Sequence, residues 1–323
     1  MAVSTGQIVE VLRAAGEPTR LRILALLSHE ELSVLEICRV LDQSQPRVSR
    51  HLKLLAEAGL AERFPDGAWV FYRLATGGEP RRLVDQVLGL IDPADAVLAR
   101  DADRLRAVQA ERETEAGAYF ARNAARWDEI RSLYVADEAV EAAIGEAIGA
   151  GRFRRLIDLG SGTGRMLTLL GPSADEALGL DLSQQMLNIA RSNVAKAGLE
   201  HCELRHGDIF GTGLEDGAAD LVVVHQVLHY LNEPAVAVRE AARLVAPGGR
   251  LLIVDFAPHA LEFLREQHQH RRLGFSETEM SRWLEDAGLS GVQVRTLPPA
   301  REAGLTVKIW SAQRAPLQKR NAA

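Results

Sequence analysis

The sequence predicts an α/β domain that follows a smaller, mainly helical domain. From about residue 118 to residue 313, short apolar segments alternate with helical patterns, which is the order of a parallel sheet covered by helices on both faces. Residues 8–75 instead hold several short amphipathic helices and one hairpin pattern. A glycine-rich turn, LGSGTG at 159–164, follows the first apolar segment of the α/β region and indicates a ligand site there.

Composition narrows the class of protein. The 323 residues are 47% hydrophobic and 25% charged with a net charge of −6, so any DNA binding must come from a local basic patch. The N-terminus lacks a basic head before an apolar core, and no apolar run approaches the ~20 residues that span a bilayer. We therefore expect a cytoplasmic protein. Two cysteines, Cys38 and Cys202, are too few for a disulfide framework or a cysteine zinc site.

The helical region has clear start and stop signals. Pro18 suits the first turn of one helix, and Ser33 with Glu36 forms a capping box at the start of another. A further helix begins after Ser44, its predicted N-cap, and stops at Gly59. The segment AERFPDGAWVFYRL then alternates on both sides of a Pro-Asp-Gly turn, which predicts a hairpin.

This order of helices and hairpin is that of a winged helix-turn-helix. The helix from about Gln45 to Ala58 would be the recognition helix, whose first turns meet base edges and phosphates in the major groove. A helical adaptor whose arginines face water remains the alternative. The candidate DNA-binding residues are Gln45, Arg47, Ser49, Arg50, His51 and Lys53.

Residues 8–90 resemble the ArsR/SmtB family of bacterial repressors. The segments GEPTRLRILALL, ELSVLEICRVLDQSQPRVSRHLKLLAEAGL and PDGAWVFYRL carry the resemblance. It implies a homodimer, built from the first and last helices of the domain, that binds a palindromic operator. Metal-sensing members have two cysteines where this chain has Ser33 and Leu35, and residues 76–200 contain no histidine. We therefore expect no metal site.

Long helical patterns fill residues 76–130, with Pro93 as an interior break. The spacing of Leu83, Val87 and Leu90 predicts a buried stripe or a dimer seam, and a solvated linker helix is the alternative. We expect a DNA-binding domain over 1–90, a helical linker over 91–130 and the α/β domain over 131–323.

The glycine-rich turn has an unusual spacing for a dinucleotide site. Gly160, Gly162 and Gly164 follow Asp158 as D-x-G-x-G-x-G, whereas the dinucleotide pattern would need its third glycine at Arg165. An acid at this turn would repel a pyrophosphate and suits a cationic ligand with an ammonium or sulfonium group.

Acids also follow the next two predicted strands. Asp181 lies seventeen residues past Gly164, where a carboxylate accepts from ribose hydroxyls, and Asp208 with Ile209 is suited to an adenine ring. Because parallel strands present their carboxyl ends at one edge of the sheet, we expect these acids to share a site.

The α/β region resembles the class I S-adenosylmethionine-dependent methyltransferases. LIDLGSGTG, GLDLSQQML, HGDIF, ADLVVVHQVLHYLNEP and EAARLVAPGGRLLIVDF match that family's motifs in order over residues 118–313. The resemblance implies a Rossmann-like sheet of seven strands, the last one antiparallel, near Thr306–Trp310. It implies S-adenosylmethionine or S-adenosylhomocysteine as the bound cofactor. The residues it places there are Asp158, Gly160, Ser161, Gly162, Gly164, Asp181, Leu182, Met186, Asp208, Ile209 and His225.

Candidate catalytic residues lie just past the fourth strand of this region. His225, His229 and Tyr230 are placed to act as a base, although a structural hydrogen-bonding role is open for each. His268 and His270 do not suggest a metal pair. Arg271 and Arg272 are expected to face water, with binding of an anionic substrate as the alternative. Arsenic methylation is disfavoured because it needs several neighbouring thiolates.

Three functions remain open from the sequence. The chain is a dimeric regulator with S-adenosylmethionine or S-adenosylhomocysteine as effector, a methyltransferase that also binds DNA, or an enzyme that uses the winged helix mainly for dimerisation. A small-molecule methyl acceptor belongs to the second and third functions, and no membrane partner is expected.

Overall fold

A computed structural model of the protein describes residues 4–29, 31–66, 69–75, 78–92, 94–124, 137–149, 151–299 and 304–316. The chain divides into two compact units, Met1–Glu115 and Ala116–Ala323. The domain boundaries proposed from the sequence, at residues 90 and 130, stay predictions.

The first unit is a winged helix-turn-helix. Its strands form a three-stranded antiparallel sheet in the order β1-β3-β2. The elements, the last of which continues beyond the unit, are α1 (Thr5–Ala15), α2 (Pro18–Leu27), β1 (Leu32–Ser33), α3 (Val34–Leu41), α4 (Gln45–Glu57), β2 (Ala61–Asp66), β3 (Trp69–Leu74), α5 (Gly78–Gly89) and α6 (Ala96–Asn123).

Local signals place the helix-turn-helix. The Ser33 and Glu36 capping box is present, because each side chain bonds the other residue's backbone N–H. Asp42 ends α3 in the left-handed region, at φ 56°, and this reverses the chain toward α4. Ser44 stands at the N-cap of α4 as predicted, but its side chain makes no capping hydrogen bond.

Helix α6 is held against the first unit by packing and charge. Leu105 and Val108 lie in the unit's apolar core. The Arg22 guanidinium donates to both oxygens of Asp101, at 2.6 and 2.7 Å, and Asp101 is only 2% exposed. Arg104 donates to the carbonyl of Val40 at 3.1 Å, so α6 also contacts the end of α3.

The predicted apolar stripe on α5 is only partly buried. Val84 is the buried apolar residue of this helix, Leu83 and Val87 are half-buried, and Leu90 is 87% exposed. A core stripe through Leu90 is therefore wrong for the single chain, because Leu90 lies just past the end of α5.

The second unit is built on a seven-stranded sheet with helices between most strands. Its elements are α7 (Asp137–Ile148), β4 (Phe153–Leu159), α8 (Arg165–Leu170), β5 (Ala174–Asp181), α9 (Gln184–Lys196), β6 (Cys202–His206), β7 (Ala219–His225), α10 (Pro234–Leu244), β8 (Val245–Phe256), α11 (Phe263–His268), α12 (Glu277–Asp286), β9 (Ser290–Leu297) and β10 (Val307–Gln313).

The sheet has the order β6-β5-β4-β7-β8-β10-β9. Strands β6, β5, β4, β7 and β8 are parallel, and β10 runs antiparallel to both β8 and β9, which confirms the predicted last strand. The strand order reverses at β4, which lies between β5 and β7. Open α/β sheets bind ligands in the crevice at the carboxyl ends of strands beside such a reversal.

Two apolar layers cover this sheet. Helices α10 and α12 pack on one face, and α7 and α8 pack on the other. Interior strands are therefore apolar along their length, as the run Leu221–Val224 shows. In the part of the chain that the structure describes, no helix combines the length and apolarity that a membrane crossing requires.

We predict that Asp101→Asn destabilises the first unit. Loss of the carboxylate leaves the Arg22 guanidinium without its bidentate acceptor, which we expect to lower the free energy of unfolding by about 2 kcal/mol. Urea denaturation monitored by circular dichroism measures the effect. Arg82→Ala, which removes an exposed ion pair with Glu79, is the control and should change stability by less than about 0.5 kcal/mol. Equal effects of the two substitutions would contradict the prediction.

Candidate functional site

The glycine-rich turn after β4 requires glycine at its first position. Gly160, Gly162 and Gly164 have φ values of 72°, 51° and 80°, in the left-handed region. A Cβ on Gly160 would lie 2.5 Å from a methyl of Val227, so the loop after β7 closes against this turn. The amides of Gly160 and Ser161 both donate to the Leu180 carbonyl, at 2.8 and 2.9 Å.

Asp181 ties the turn to the end of β5. One carboxylate oxygen accepts from the amide of Gly162 at 2.8 Å, and the other accepts from the amide of Ser183 at 2.8 Å. Burial raises the pKa of Asp181, and these backbone donors act in the opposite direction. Each oxygen keeps a further lone pair, so the carboxylate can still accept from a ribose hydroxyl.

Asp158 has no such partners. It is 1% exposed, and neither carboxyl oxygen has a hydrogen-bond partner among the residues that the structure describes. Burial and the neighbouring Asp181 raise the pKa of Asp158 to about 8. The Ser161 hydroxyl is also buried without a partner. Buried polar groups are normally paired, so these two groups indicate a place for a ligand that carries N–H donors.

The remaining predicted cofactor residues lie at or just past the ends of β5, β6 and β7. Leu182 is 61% exposed beside Asp181, and Met186 is buried in the first turn of α9. Asp208 is exposed and accepts from the amide of Phe210 at 2.9 Å, which holds the loop after β6. Ile209 is buried in the apolar layer, and His225 ends β7 half-buried.

The catalytic candidates after β7 belong to a cluster of rings. His229 is buried, and its Nδ1 lies 2.8 Å from a carboxylate oxygen of Asp255 on β8. Its ring lies 4.1 Å from the Tyr230 ring and 4.2 Å from the His270 ring, centroid to centroid. Asp255 favours the tautomer with a proton on Nδ1, which leaves Nε2 as the basic nitrogen.

Burial disfavours the charged forms of two rings in this cluster. It lowers the pKa of His270 and raises the pKa of Tyr230 above its ordinary value. The Tyr119 hydroxyl, near the C-terminal end of α6, lies 2.8 Å from Nδ1 of His268. The cluster therefore offers aromatic faces and a neutral imidazole at His270.

Arg272 differs from expectation. It is buried, lies over the Phe275 ring and donates to Glu279 at 3.1 Å, so the prediction that it faces water is wrong. The physical reason is the chain reversal after α11, where the amides of Arg271 and Arg272 both donate to the His229 carbonyl.

Sequence reasoning missed Gln226. It follows β7 with φ 55°, a left-handed conformation that is strained for a residue with a side chain. The residue is buried, its amide nitrogen Nε2 has no partner, and its backbone N–H donates to Val254 at 2.7 Å. Strain and an unpaired donor at a strand end mark a candidate ligand-binding residue, and its position after the strand was the only signal in the sequence.

In the first unit, α4 presents a polar face. Gln45, Arg47, Arg50 and Lys53 are exposed, and the last three recur every three residues, so they share one side of the helix. Ser49 is half-buried. His51 instead lies against α2, with Nδ1 3.5 Å from the Glu17 carboxylate, and burial lowers its pKa.

The wing of the first unit is the hairpin of β2 and β3. Strands β2 and β3 pair up to Asp66 and Trp69, and the predicted tip residue Gly67 lies outside the described residues. Among the residues that the structure describes, no group of three or more histidine, cysteine or acidic side chains could hold a metal ion.

We predict that Gln226→Asn separates stability from ligand binding. Asparagine tolerates the left-handed conformation, so the free energy of unfolding should change by less than about 1 kcal/mol. The shorter side chain withdraws its amide, and binding of S-adenosylhomocysteine should weaken roughly tenfold. Calorimetry and thermal unfolding measure the two effects. Gln313→Asn, at an exposed position on β10, is the control, and unchanged affinity in Gln226→Asn would refute a ligand role.

Comparisons with known proteins find a matching family model in each of the two units. The model of the "Bacterial regulatory protein, arsR family" matches residues 17–63, and that of the "Methyltransferase domain" matches residues 157–253. The arsenic resistance transcriptional regulator ArsR1 of Pseudomonas putida is 40% identical over 97 residues, 29% of this chain and 74% of that protein.

The second unit has relatives of its own. The uncharacterized methyltransferase YcgJ of Bacillus subtilis is 30% identical over 105 residues, 32% of this chain and 42% of that protein, so the chain spans less than half of this relative. A chain from the solved complex of the Haloferax volcanii Trm112 methyltransferase activator with its methyltransferase is 20% identical, with a TM-score of 0.50. That alignment covers 61% of this chain and 97% of the other, and it shows the fold alone. The chain belongs to the ArsR family of bacterial regulatory proteins and carries, behind its winged helix-turn-helix, a domain that the methyltransferase model matches.

Proposed function

We propose that the protein is a dimeric DNA-binding transcriptional regulator whose methyltransferase domain binds S-adenosylmethionine or S-adenosylhomocysteine as its effector. One observation carries the proposal. The same chain keeps an exposed basic face on α4 and a set of acids, Asp158, Asp181 and Asp208, at the carboxyl ends of three neighbouring strands. A cytoplasmic location is part of the proposal.

The face of α4 supports DNA recognition. Arginine makes bidentate contacts to guanine in the major groove, and Arg47 and Arg50 lie in the first turns of the helix, where base edges are met. Lys53 is suited to a phosphate, although Glu57 lies 3.7 Å from its ammonium. His51 contributes less directly, since it faces Glu17.

Exposed apolar side chains support a dimer. Ile8 and Leu12 are one helical turn apart on α1 and are 39% and 47% exposed, and Leu90 beyond α5 is more exposed still. These positions fit the use of the first and last helices of the domain as a dimer interface. A twofold dimer would present two recognition helices related by symmetry, so we expect its operator to be palindromic.

The acid-rich edge supports the effector. S-adenosylmethionine carries an ammonium and a sulfonium, whereas S-adenosylhomocysteine keeps only the ammonium. Asp158 suits the cationic end, Asp181 the ribose and Asp208 the adenine. The exposed face of Leu182 is available to the flat purine ring.

A ligand regulates DNA binding only if it favours one of two states of the protein. We propose that the predicted linker carries this coupling. Helix α6 supplies Leu105 and Val108 to the core of the first unit, and its last turns supply Tyr119 to the ring cluster of the second. Ligand binding that stabilises or destabilises this helix would therefore change the packing against α3 and α4.

An active small-molecule methyltransferase that uses the winged helix mainly for dimerisation is the alternative. The pair of His229 and Asp255 favours it, because a histidine oriented by a carboxylate is the arrangement that a general base requires. In that function His229 would take a proton from the methyl acceptor, and Tyr230 and His225 would orient it.

We predict that an S-adenosyl ligand changes operator affinity. Fluorescence anisotropy of the full chain on its own upstream DNA, at fixed salt, should show a shift of about tenfold with S-adenosylmethionine or S-adenosylhomocysteine, equal to ~1.4 kcal/mol of coupling. Asp181→Ala should bind DNA but lose the response. Tight DNA binding that ignores both ligands would refute the effector role and turn attention to methyl acceptors.

We predict that Arg47→Ala combined with Arg50→Ala abolishes specific DNA binding without affecting the methyltransferase domain. Each lost base contact should cost about 1–3 kcal/mol of discrimination. Arg191→Ala combined with Arg205→Ala, at exposed positions on α9 and β6, serves as the charge-matched control. DNA affinity that survives the double substitution would favour the alternative, in which the winged helix only dimerises.

A further inference from the structure

Asp158 differs from the other acids at this edge of the sheet because no described residue donates a hydrogen bond to it or brings it a positive charge. It lies within β4, beside Gly179 of β5 and Val223 of β7. Asp181 accepts two backbone N–H groups, and Asp208 accepts one. Asp158 accepts none with either of its buried oxygens. Hydrogen bonds and opposite charges are what keep a buried carboxyl ionised, and Asp158 has neither.

The charged groups around Asp158 make ionisation harder. Asp181, at the end of β5, is a like charge and raises the pKa of Asp158. His206, at the end of β6, lowers the pKa of Asp181 and is not among the groups that act on Asp158. The neighbouring positions on β7, Val223 and Val224, are apolar and buried. In the described part of the chain, no cation acts on Asp158. Together, burial and Asp181 raise its pKa to about 8, so the empty site holds this carboxyl protonated at neutral pH.

An S-adenosyl ligand would supply the missing charge. Its α-ammonium brings one positive charge and three N–H donors. The two oxygens of Asp158 and the hydroxyl of Ser161 are three buried acceptors that lack partners. An ammonium in contact with a carboxyl favours the ionised form of that carboxyl.

We propose that Asp158 is a proton-release switch of the cofactor site: it holds a proton while the site is empty and gives it to solvent when the α-ammonium of the ligand binds. The proton on the carboxyl oxygen leaves as the N–H···O bonds form, and no other bond changes. This inference rests on the proposed function, since it requires that the site takes an S-adenosyl ligand.

The proposal makes ligand affinity depend on pH with a definite sign. Only the ionised fraction of Asp158 is competent to bind, so affinity falls as that fraction falls. Below a pKa of about 8, the ionised fraction drops about tenfold for each unit of pH. Affinity should therefore rise about tenfold from pH 6 to pH 7 and level off above pH ~8. A regulator with this property would respond to its effector more weakly in an acidified cell.

The test is calorimetric titration of the full chain with S-adenosylhomocysteine at several pH values between 6 and 8.5. Titrations at pH 6.5 in buffers of different ionisation enthalpy count the protons exchanged. We expect close to one proton released per ligand, together with the tenfold slope. A count near zero with affinity independent of pH would overturn the inference while leaving the proposed effector in place. No binding at any pH would overturn both.

Two substitutions identify the group that releases the proton. Asp158→Asn keeps the shape of the side chain, and it should bind more weakly at pH 8 with a flat pH dependence. His206→Gln removes the exposed imidazole at the end of β6 and should keep the slope. A slope that survives in Asp158→Asn, or disappears in His206→Gln, would assign the proton elsewhere and overturn the inference. If Asp158→Asn fails to fold, the proton count of the unaltered chain still decides the question.

Discussion

The second unit depends on a short glycine turn and on the hydrogen bonds that this turn does or does not donate to the neighbouring carboxylates. The turn after β4 brings the backbone N–H of Gly162 to Asp181, which also accepts from the N–H of Ser183 just past β5. It also brings Val227 against Gly160, where a side chain would collide. One acid is thus satisfied by the backbone, and a second, Asp158, is left buried without donors. Asp158 therefore suits a ligand that brings a positive charge and N–H donors.

The order of the strands decides what lies beside that turn. Because β4 lies between β5 and β7, the acids of one half of the sheet and the histidines of the other meet at neighbouring strand ends. A cofactor bound over β4, β5 and β6 would therefore have the pair of His229 and Asp255 on its β7–β8 side. Both proposed functions use the same edge, since effector binding and methyl transfer need the same bound cofactor.

The first unit shows how the same physical rules serve a different task. Its recognition helix leaves Arg47, Arg50 and Lys53 exposed, and its apolar residues Val48, Leu52 and Leu55 are buried. Membership in the ArsR family accounts for that helix. In metal-sensing members two cysteines stand at the positions of Ser33 and Leu35 in this chain. In the function that we propose, the methyltransferase domain supplies the signal in their place.

The sequence by itself determined the features that depend on neighbouring residues. The strand, the glycine turn and the following acids are short-range patterns, so the α/β alternation and the places of Asp158 and Asp181 were predictable. The antiparallel last strand came from the resemblance to methyltransferases, and the order of the strands came only from the structure. The period of α4 likewise assigned its exposed face. Only the tertiary structure decided which distant residues meet, because such contacts follow from packing. It paired His229 with Asp255, turned His51 toward Glu17 and buried Arg272 against Glu279. It also placed Gln226 in a left-handed conformation, in the loop that packs Val227 against Gly160. No local sequence pattern predicts that conformation.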